Sequence, residues 1–361
     1  MSNNFYFSRL DHLRFFAASL VVYFHFRGSS TGEVYHWFIN PSHTLNLWIN
    51  NGFTGVSLFL VLSGFLFCVI SDAGKKEINY WLFIKNRILR IFPLLTVVFF
   101  IIICISRETS TPLDILRLLT LQFNTGSKDF GWGEDYYPVG VIWTIAVEFQ
   151  FYLIFPFLIV FMNKQGKKYL ASLIMLFILI RYGMYIMKGG SIHYNLYSSI
   201  IGRIDQLLIG MIAGSAYIKG FGKSFPTIIK FIAPFAFIIL ITLYMGIDKS
   251  KQFLAIAGFP VEGALWCGFI YSYILMPINI PSGIDYTFAK LGMVSYSMYL
   301  LHQPIGWPVV ISGILGDLNS HRVMAVTFVI LPVIVAVSFL SFYTIERPFL
   351  MMKVKYFKNN G

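Results

Sequence analysis

Apolar runs of spanning length recur along this chain, near 10–27, 52–71, 87–105, 139–162, 169–187, 197–218, 227–246, 253–276, 290–312 and 322–345. A tilted helix needs roughly 20 mostly apolar residues to cross the hydrocarbon core of a bilayer, so each run reads as one transmembrane helix. Composition agrees. Hydrophobic residues make up 57% of the chain and charged residues 12%, and the mean hydropathy is +0.70, more than a soluble domain of 361 residues needs for its core. The expected fold is all-α, a polytopic bundle of about ten transmembrane helices in a single integral-membrane domain over 1–361. Pro304, Pro308 and Pro332 interrupt the ninth and tenth runs, where they can kink a span without cancelling it.

Placing both termini in the cytoplasm puts eighteen of the 28 lysines and arginines on inner segments and eight on outer ones, with Arg181 and Arg203 inside spans. That excess follows the positive-inside rule. The net charge of +12 is spread over short loops facing an anionic leaflet, so it does not call for nucleic acid. The first run carries Arg14 and His25 and lacks a small-residue cleavage site, so it is expected to stay as a helix. Cys68, Cys104 and Cys267 lie singly in apolar windows and read as small core hydrophobes, without metal-ligand spacing or an even disulfide set. The two long connections, about 28–51 and 106–138, fall on the outer side. The second carries the amphipathic TPLDILRLLTLQF and the acidic, aromatic GSKDFGWGEDYYPVG (126–140), suited either to carbohydrate contacts or to an interfacial aromatic belt. Few residues follow the last run, so no fused soluble domain is expected.

Arg14 and His25 stand eleven residues apart in LDHLRFFAASLVVYFHF (10–26). Eleven helical residues turn through about 1100°, within about 20° of three full turns, and rise roughly 16 Å. The two side chains therefore share one helix face at different depths. An ionisable residue inside a span is costly and marks a functional pathway by default; the plainer alternative is a snorkelling Arg14 beside a structurally bonded His25.

The topology then sorts the remaining polar residues into two clusters. On the cytoplasmic side lie Arg14, the segment IKNRILRIFP (84–93) and TIERPF (344–349). Arg87 and Arg90, three apart, project from one helix face, and guanidinium forks suit phosphate, although a positive-inside anchor has the same pattern. Towards the outside lie His25, Glu148 in VIWTIAVEFQFYL (141–153), Arg203 and Asp205 in GRIDQLLIG (202–210), and His302 in SYSMYLLHQP (295–304). Glu148 is expected to pair with Arg203 or His25, and Asp205 to support Arg203. Ser63 in GVSLFLVLSGFLF (55–67) shows no adjacent base and reads, with Gly64, as a close-packing pair.

In this order, LDHLRFFAASLVVYFHF, GVSLFLVLSGFLF, RILRIFP, WTIAVEFQFYLIFP, GRIDQLLIGMIAG, SYSMYLLHQP and TIERP resemble the acyltransferase 3 family of polytopic membrane acyltransferases. The resemblance implies transfer of an acyl group, commonly acetyl from cytoplasmic acetyl-CoA, to surface glycans or other acceptors. By position, Arg14 and His25 resemble the family's essential pair, and Arg87 and Arg90 its donor-linked arginines. The chain departs from the pattern at Phe15, where Gly is usual, at Thr144, where Ser is usual, and at Phe149, where Glu is usual, leaving Glu148 as the single carboxylate there.

The expected function is that of a stand-alone O-acetyltransferase of the bacterial inner membrane, modifying a sugar hydroxyl of an envelope polysaccharide or lipopolysaccharide. His25, Arg14 and Glu148 are the candidate catalytic residues, Arg87, Arg90 and Arg14 the donor-binding ones, and Arg203, Asp205 and His302 a supporting polar cluster. Acetyl-CoA is expected as donor substrate, the bilayer and a glycan or lipid-linked glycan as partners, with no metal and no bound cofactor. Base-assisted attack through His25 is the first mechanism, an acyl-histidine intermediate the second. The rival is a transporter or flippase using Arg14, His25, Glu148 and Arg203; against it, the halves show no inverted repeat and no matched pair of interrupted helices.

Overall fold

The computed structural model describes residues 7–27, 41–105, 108, 111–122, 139–188, 196–247, 252–312 and 322–358. Among them the secondary structure is helical, apart from one isolated antiparallel bridge between Ile78 and Phe357. Most of the two long connections, including GSKDFGWGEDYYP (126–138), lies outside the described residues.

The helices follow the apolar runs. They are α1 (Ser8–His25), α2 (Pro41–Asn50), α3 (Gly55–Ile70), α4 (Tyr80–Ile105), α5 (Pro112–Leu119), α6 (Val139–Gln165), α7 (Lys167–Lys188), α8 (Ile200–Ile218), α9 (Thr227–Met245), α10 (Gln252–Leu275), α11 (Ser282–Met293) and α12 (Ser295–Ile311). The last helix, α13, joins Arg322–Ala325, Leu331–Ser341 and Arg347–Met351 through π-helical turns at Val326–Ile330 and Phe342–Glu346. Each π turn lies just before a proline, Pro332 or Pro348, and the wider turn relieves the clash of the ring with the carbonyl four residues back. Among the described residues, five helices are long and apolar enough to cross a membrane: Gly52–Ile70, Val141–Gln165, Lys167–Met187, Thr227–Met245 and Val323–Met351. Exposed Phe100, Ile228 and Phe328 give the apolar surface that lipid requires.

The ninth run is the one redrawn most. Pro304 and Pro308 sit inside α12, and the break falls at Val294, between α11 and α12. There α11 turns to lie along α1, so close that a Cβ on Gly292 would stand 2.0 Å from the carbonyl oxygen of Asp11. Backbone contact also sets α3 against α8, where a Cβ on Gly64 would meet the carbonyl oxygen of Leu207 at 2.0 Å and one on Gly210 that of Val61 at 2.2 Å. The pairing of Ser63 with Gly64 is thus half close packing; Ser63 itself has another partner. Cys68 is buried and Cys267 partly so, but Cys104 is exposed on the apolar surface rather than in the core.

Beyond Met351 the chain folds back as a strap. Asn86 Nδ2 donates to the carbonyl of Val354 at 2.7 Å and the Val354 amide returns a bond to Asn86 Oδ1 at 3.0 Å. The Asn79 amide donates to the Tyr356 carbonyl at 2.8 Å, the Lys358 amide to that of Glu77 at 2.9 Å, and the Tyr356 ring packs on Phe83 at 5.4 Å.

Candidate active site

A cavity of about 640 Å³ opens at the end of the bundle where α1 and α4 begin and the strap crosses. Its lining is rich in cations, with Arg14 from α1, Arg87 and Arg90 from α4, Lys290 from α11 and Lys353 from the strap. Against these stand the carboxylates of Asp11 and Glu148. Asp11 is committed to Arg14, which donates to it at 2.8 Å. Arg87 lies among the rings of Phe67, Phe83 and Tyr152 at 5.0, 5.3 and 5.7 Å, and Arg90 over Tyr296 at 5.8 Å. Stacking fixes each guanidinium plane while leaving its N–H edge for an anion, and the buried Arg87 Nε has no protein acceptor. Below them, Glu346 is buried against Ser297, which donates to it.

Further in, the cavity is lined by α3, α6 and α12. Glu148 accepts from Ser63 Oγ at 2.7 Å and from the Tyr152 hydroxyl at 2.5 Å, so it faces the arginine-lined cavity and takes neither Arg203 nor His25 as its hydrogen-bond partner. The wall is closed by Phe59, Thr144 and Tyr299. Thr144 donates to the Tyr299 hydroxyl at 2.8 Å, and that hydroxyl donates to the carbonyl of Val141 at 2.6 Å. The departure from the family pattern at Thr144 thus keeps a hydroxyl in place.

Immediately behind Tyr299 stand two histidines. His302 is fully buried and its Nδ1–H donates to the Tyr299 carbonyl at 2.6 Å, leaving Nε2 as an acceptor. His25 Nδ1 lies 2.9 Å from the Val21 carbonyl and 3.2 Å from His302 Nε2. A carbonyl cannot donate, so Nδ1 of His25 carries the proton, and its Nε2 is left with a free lone pair. His25 is only half-buried, beyond the cavity's lining residues. Its depth match with His302, read from the sequence, corresponds to a direct contact.

The rest of the expected outer cluster separates. Asp205 pairs with Arg181, both fully buried, through contacts of 2.9 and 2.5 Å, and Arg181 also donates to the carbonyls of Ile256 and Ile201. A buried pair this fully bonded ties α7, α8 and α10 together. Arg203, buried, donates to the Tyr197 carbonyl at 2.8 Å and Ser57 Oγ at 3.2 Å, inside a cage of Trp143, Tyr197 and Phe259. Asp205 therefore takes Arg181 as its hydrogen-bonded partner, and its interaction with Arg203 is electrostatic only. Sequence reasoning missed Glu262, buried and accepting from Thr54, itself bonded to Trp266 Nε1 at 2.6 Å. The rule that flagged Glu148, an ionisable residue in an apolar window, would have found it.

Residues 7–345 match the family model described as an acyltransferase domain. The chain belongs to the acyltransferase 3 family. Among curated relatives it is similar to O-acetyltransferase OatA of Staphylococcus aureus (strain NCTC 8325 / PS 47), 25% identical over 83% of this chain and 50% of that protein. A second protein of Staphylococcus aureus (strain COL), also carrying O-acetyltransferase in its name, is 24% identical over 85% of this chain and 54% of its own length. The chain spans about half the length of the curated relatives it matches. No solved structure matches. The acyltransferase 3 match covers both histidines, Glu148 and the arginines of the cavity, and ends before Glu346 and the strap.

Proposed function

We propose that this acyltransferase 3 chain is a multi-pass O-acetyltransferase of the bacterial inner membrane, with ten spans and both termini cytoplasmic. It moves acetyl from cytoplasmic acetyl-CoA to a sugar hydroxyl of an envelope glycan such as O-antigen, lipopolysaccharide or exopolysaccharide. The observation that carries the reading is the cavity. Five cations and two carboxylates line it, and its inner wall backs directly onto the histidine pair. In this reading Arg14, Arg87 and Arg90 hold the phosphates of the donor at the cytoplasmic mouth, while the inner part, lined by Val56, Phe59, Leu60 and Ile145 beside Ser63 and Glu148, takes the pantetheine arm. Tyr299 and Phe59 form the barrier that the thioester must pass to reach His25.

The chemistry follows from the tautomers. His25 Nε2 removes the proton of the acceptor hydroxyl as its oxygen attacks the thioester carbon; the carbon–sulfur bond breaks and the proton passes to the departing thiolate. The imidazolium formed between those steps is stabilised by the Val21 carbonyl and the lone pair of His302 Nε2, both already in place. Glu148, held by Ser63 and Tyr152, fixes a carboxyl group on the wall of the same cavity that the arginines line. Purified chain in nanodiscs, given acetyl-CoA and a panel of envelope oligosaccharides, should release free CoA and form O-acetyl sugar in equal amounts. Transport of intact acetyl-CoA with no acetylated product would favour the transporter instead.

A further inference from the structure

The strap is the part of the cavity that the family match does not cover. It is pinned to α4 by the reciprocal pair between Asn86 and Val354, one residue beyond Lys353, and Asn86 lies next to Arg87 in sequence. The same short stretch of α4 thereby presents the arginines and positions the strap. Lys353 follows the last span by two residues and lines the cavity with them. Resting on the donor-site reading above, we propose that the strap completes the donor site, and that Lys353 is a further phosphate-binding residue held over the cavity mouth by Asn86.

The surroundings of Lys353 support a role that depends on charge. The charges that act on it are Arg90 and Arg87 from α4, Arg14 from α1 and Glu346 from α13; the other titratable groups lining the same cavity are Asp11 from α1, Glu148 and Tyr152 from α6, Tyr286 and Lys290 from α11, and Tyr296 and Tyr299 from α12. Although the residue as a whole is exposed, its ammonium is crowded by protein. That desolvation, then the positive charge of Arg90, Arg87 and Arg14, lowers its pKa to about 7, with Glu346 opposing. A phosphate bound among these cations favours the charged lysine. The sign is therefore fixed. The contribution of Lys353 to binding is present below the pKa of the empty site and is lost as pH rises through and above it.

Coenzyme A binding to the full chain in detergent, measured by calorimetry at pH 6.5 and 8.5, tests this. Lys353→Gln should weaken binding about fourfold at pH 6.5 and leave it near wild type at pH 8.5, whereas Lys353→Arg should stay about fivefold tighter than Lys353→Gln at both. Comparing variants at one pH cancels the titration of the ligand's own phosphate. Asn86→Ala, which releases the strap at Val354 next to Lys353, should reproduce the loss at pH 6.5, and adding Lys353→Gln to it should cost little more. Equal affinity of wild type and Lys353→Gln at pH 6.5, or failure of Lys353→Arg to hold affinity, overturns the role of Lys353; an unchanged Asn86→Ala overturns that of the strap. Absence of coenzyme A binding by the wild-type chain would instead remove the donor-site reading beneath both.

Discussion

His302 was legible in the sequence only as an imidazole at the depth of His25, because two residues 277 apart meet through packing that no local pattern encodes. What the contact adds is a tautomer. With Nδ1–H tied to the Tyr299 carbonyl, His302 can only accept from His25, and so leaves His25 Nε2 bare. Gln at 302 can present a carbonyl near the position of Nε2, while Ala cannot. His302→Gln is therefore expected to keep a measurable part of kcat and His302→Ala to lose about 10²-fold or more, with the KM for acetyl-CoA unchanged in both. A drop in donor affinity without a drop in kcat would place His302 in the donor site and refute this role. Glu148 teaches the opposite lesson. Its sequence window was right and its partner wrong, since Ser63 and Tyr152 supply it with hydroxyls from α3 and its own helix and Arg203 is satisfied elsewhere.

Helix existence was readable because a span must be both long and apolar, and each of the ten runs corresponds to helix. The elements that shape the site were less so. The break at Val294 carries no proline, and it is the backbone contact between Gly292 and Asp11 that fixes where α11 lies. The strap has no periodicity at all; it is held by a reciprocal pair of hydrogen bonds with the Asn86 side chain and an isolated bridge. Glycine is needed where α3 touches α8, because a methyl group at residue 64 would overlap a carbonyl that belongs to a rigid helix. Gly64→Ala should cost roughly 2 kcal/mol or more by overpacking, seen as a lowered melting temperature in detergent. Gly183→Ala, where a Cβ meets nothing within 4 Å, should not lower it. Equal melting of the two variants would show that α3 and α8 can separate at little cost.

At the scale of the molecule, the proposed function requires the cavity to open toward the cytoplasm, with the histidine pair behind its far wall. The proposed orientation, with the cavity end in the cytoplasm, rests on the distribution of basic residues along the sequence. Cysteines placed at Lys75 and Lys167 should be shielded from an impermeant thiol reagent in intact cells, whereas one at Asn51 should react; the reverse pattern would turn the cavity mouth outward and away from cytoplasmic donor. The most direct test separates the two halves of the site in one experiment, by measuring acetyl-CoA binding and acetyl transfer side by side for wild type, His25→Ala and the double variant Arg87→Gln, Arg90→Gln. His25→Ala is expected to bind donor as the wild type does and to transfer nothing, while the double variant binds at least about tenfold more weakly and recovers turnover at high acetyl-CoA. Normal transfer by a correctly inserted His25→Ala protein, or undiminished donor binding by the double variant, would contradict that expectation.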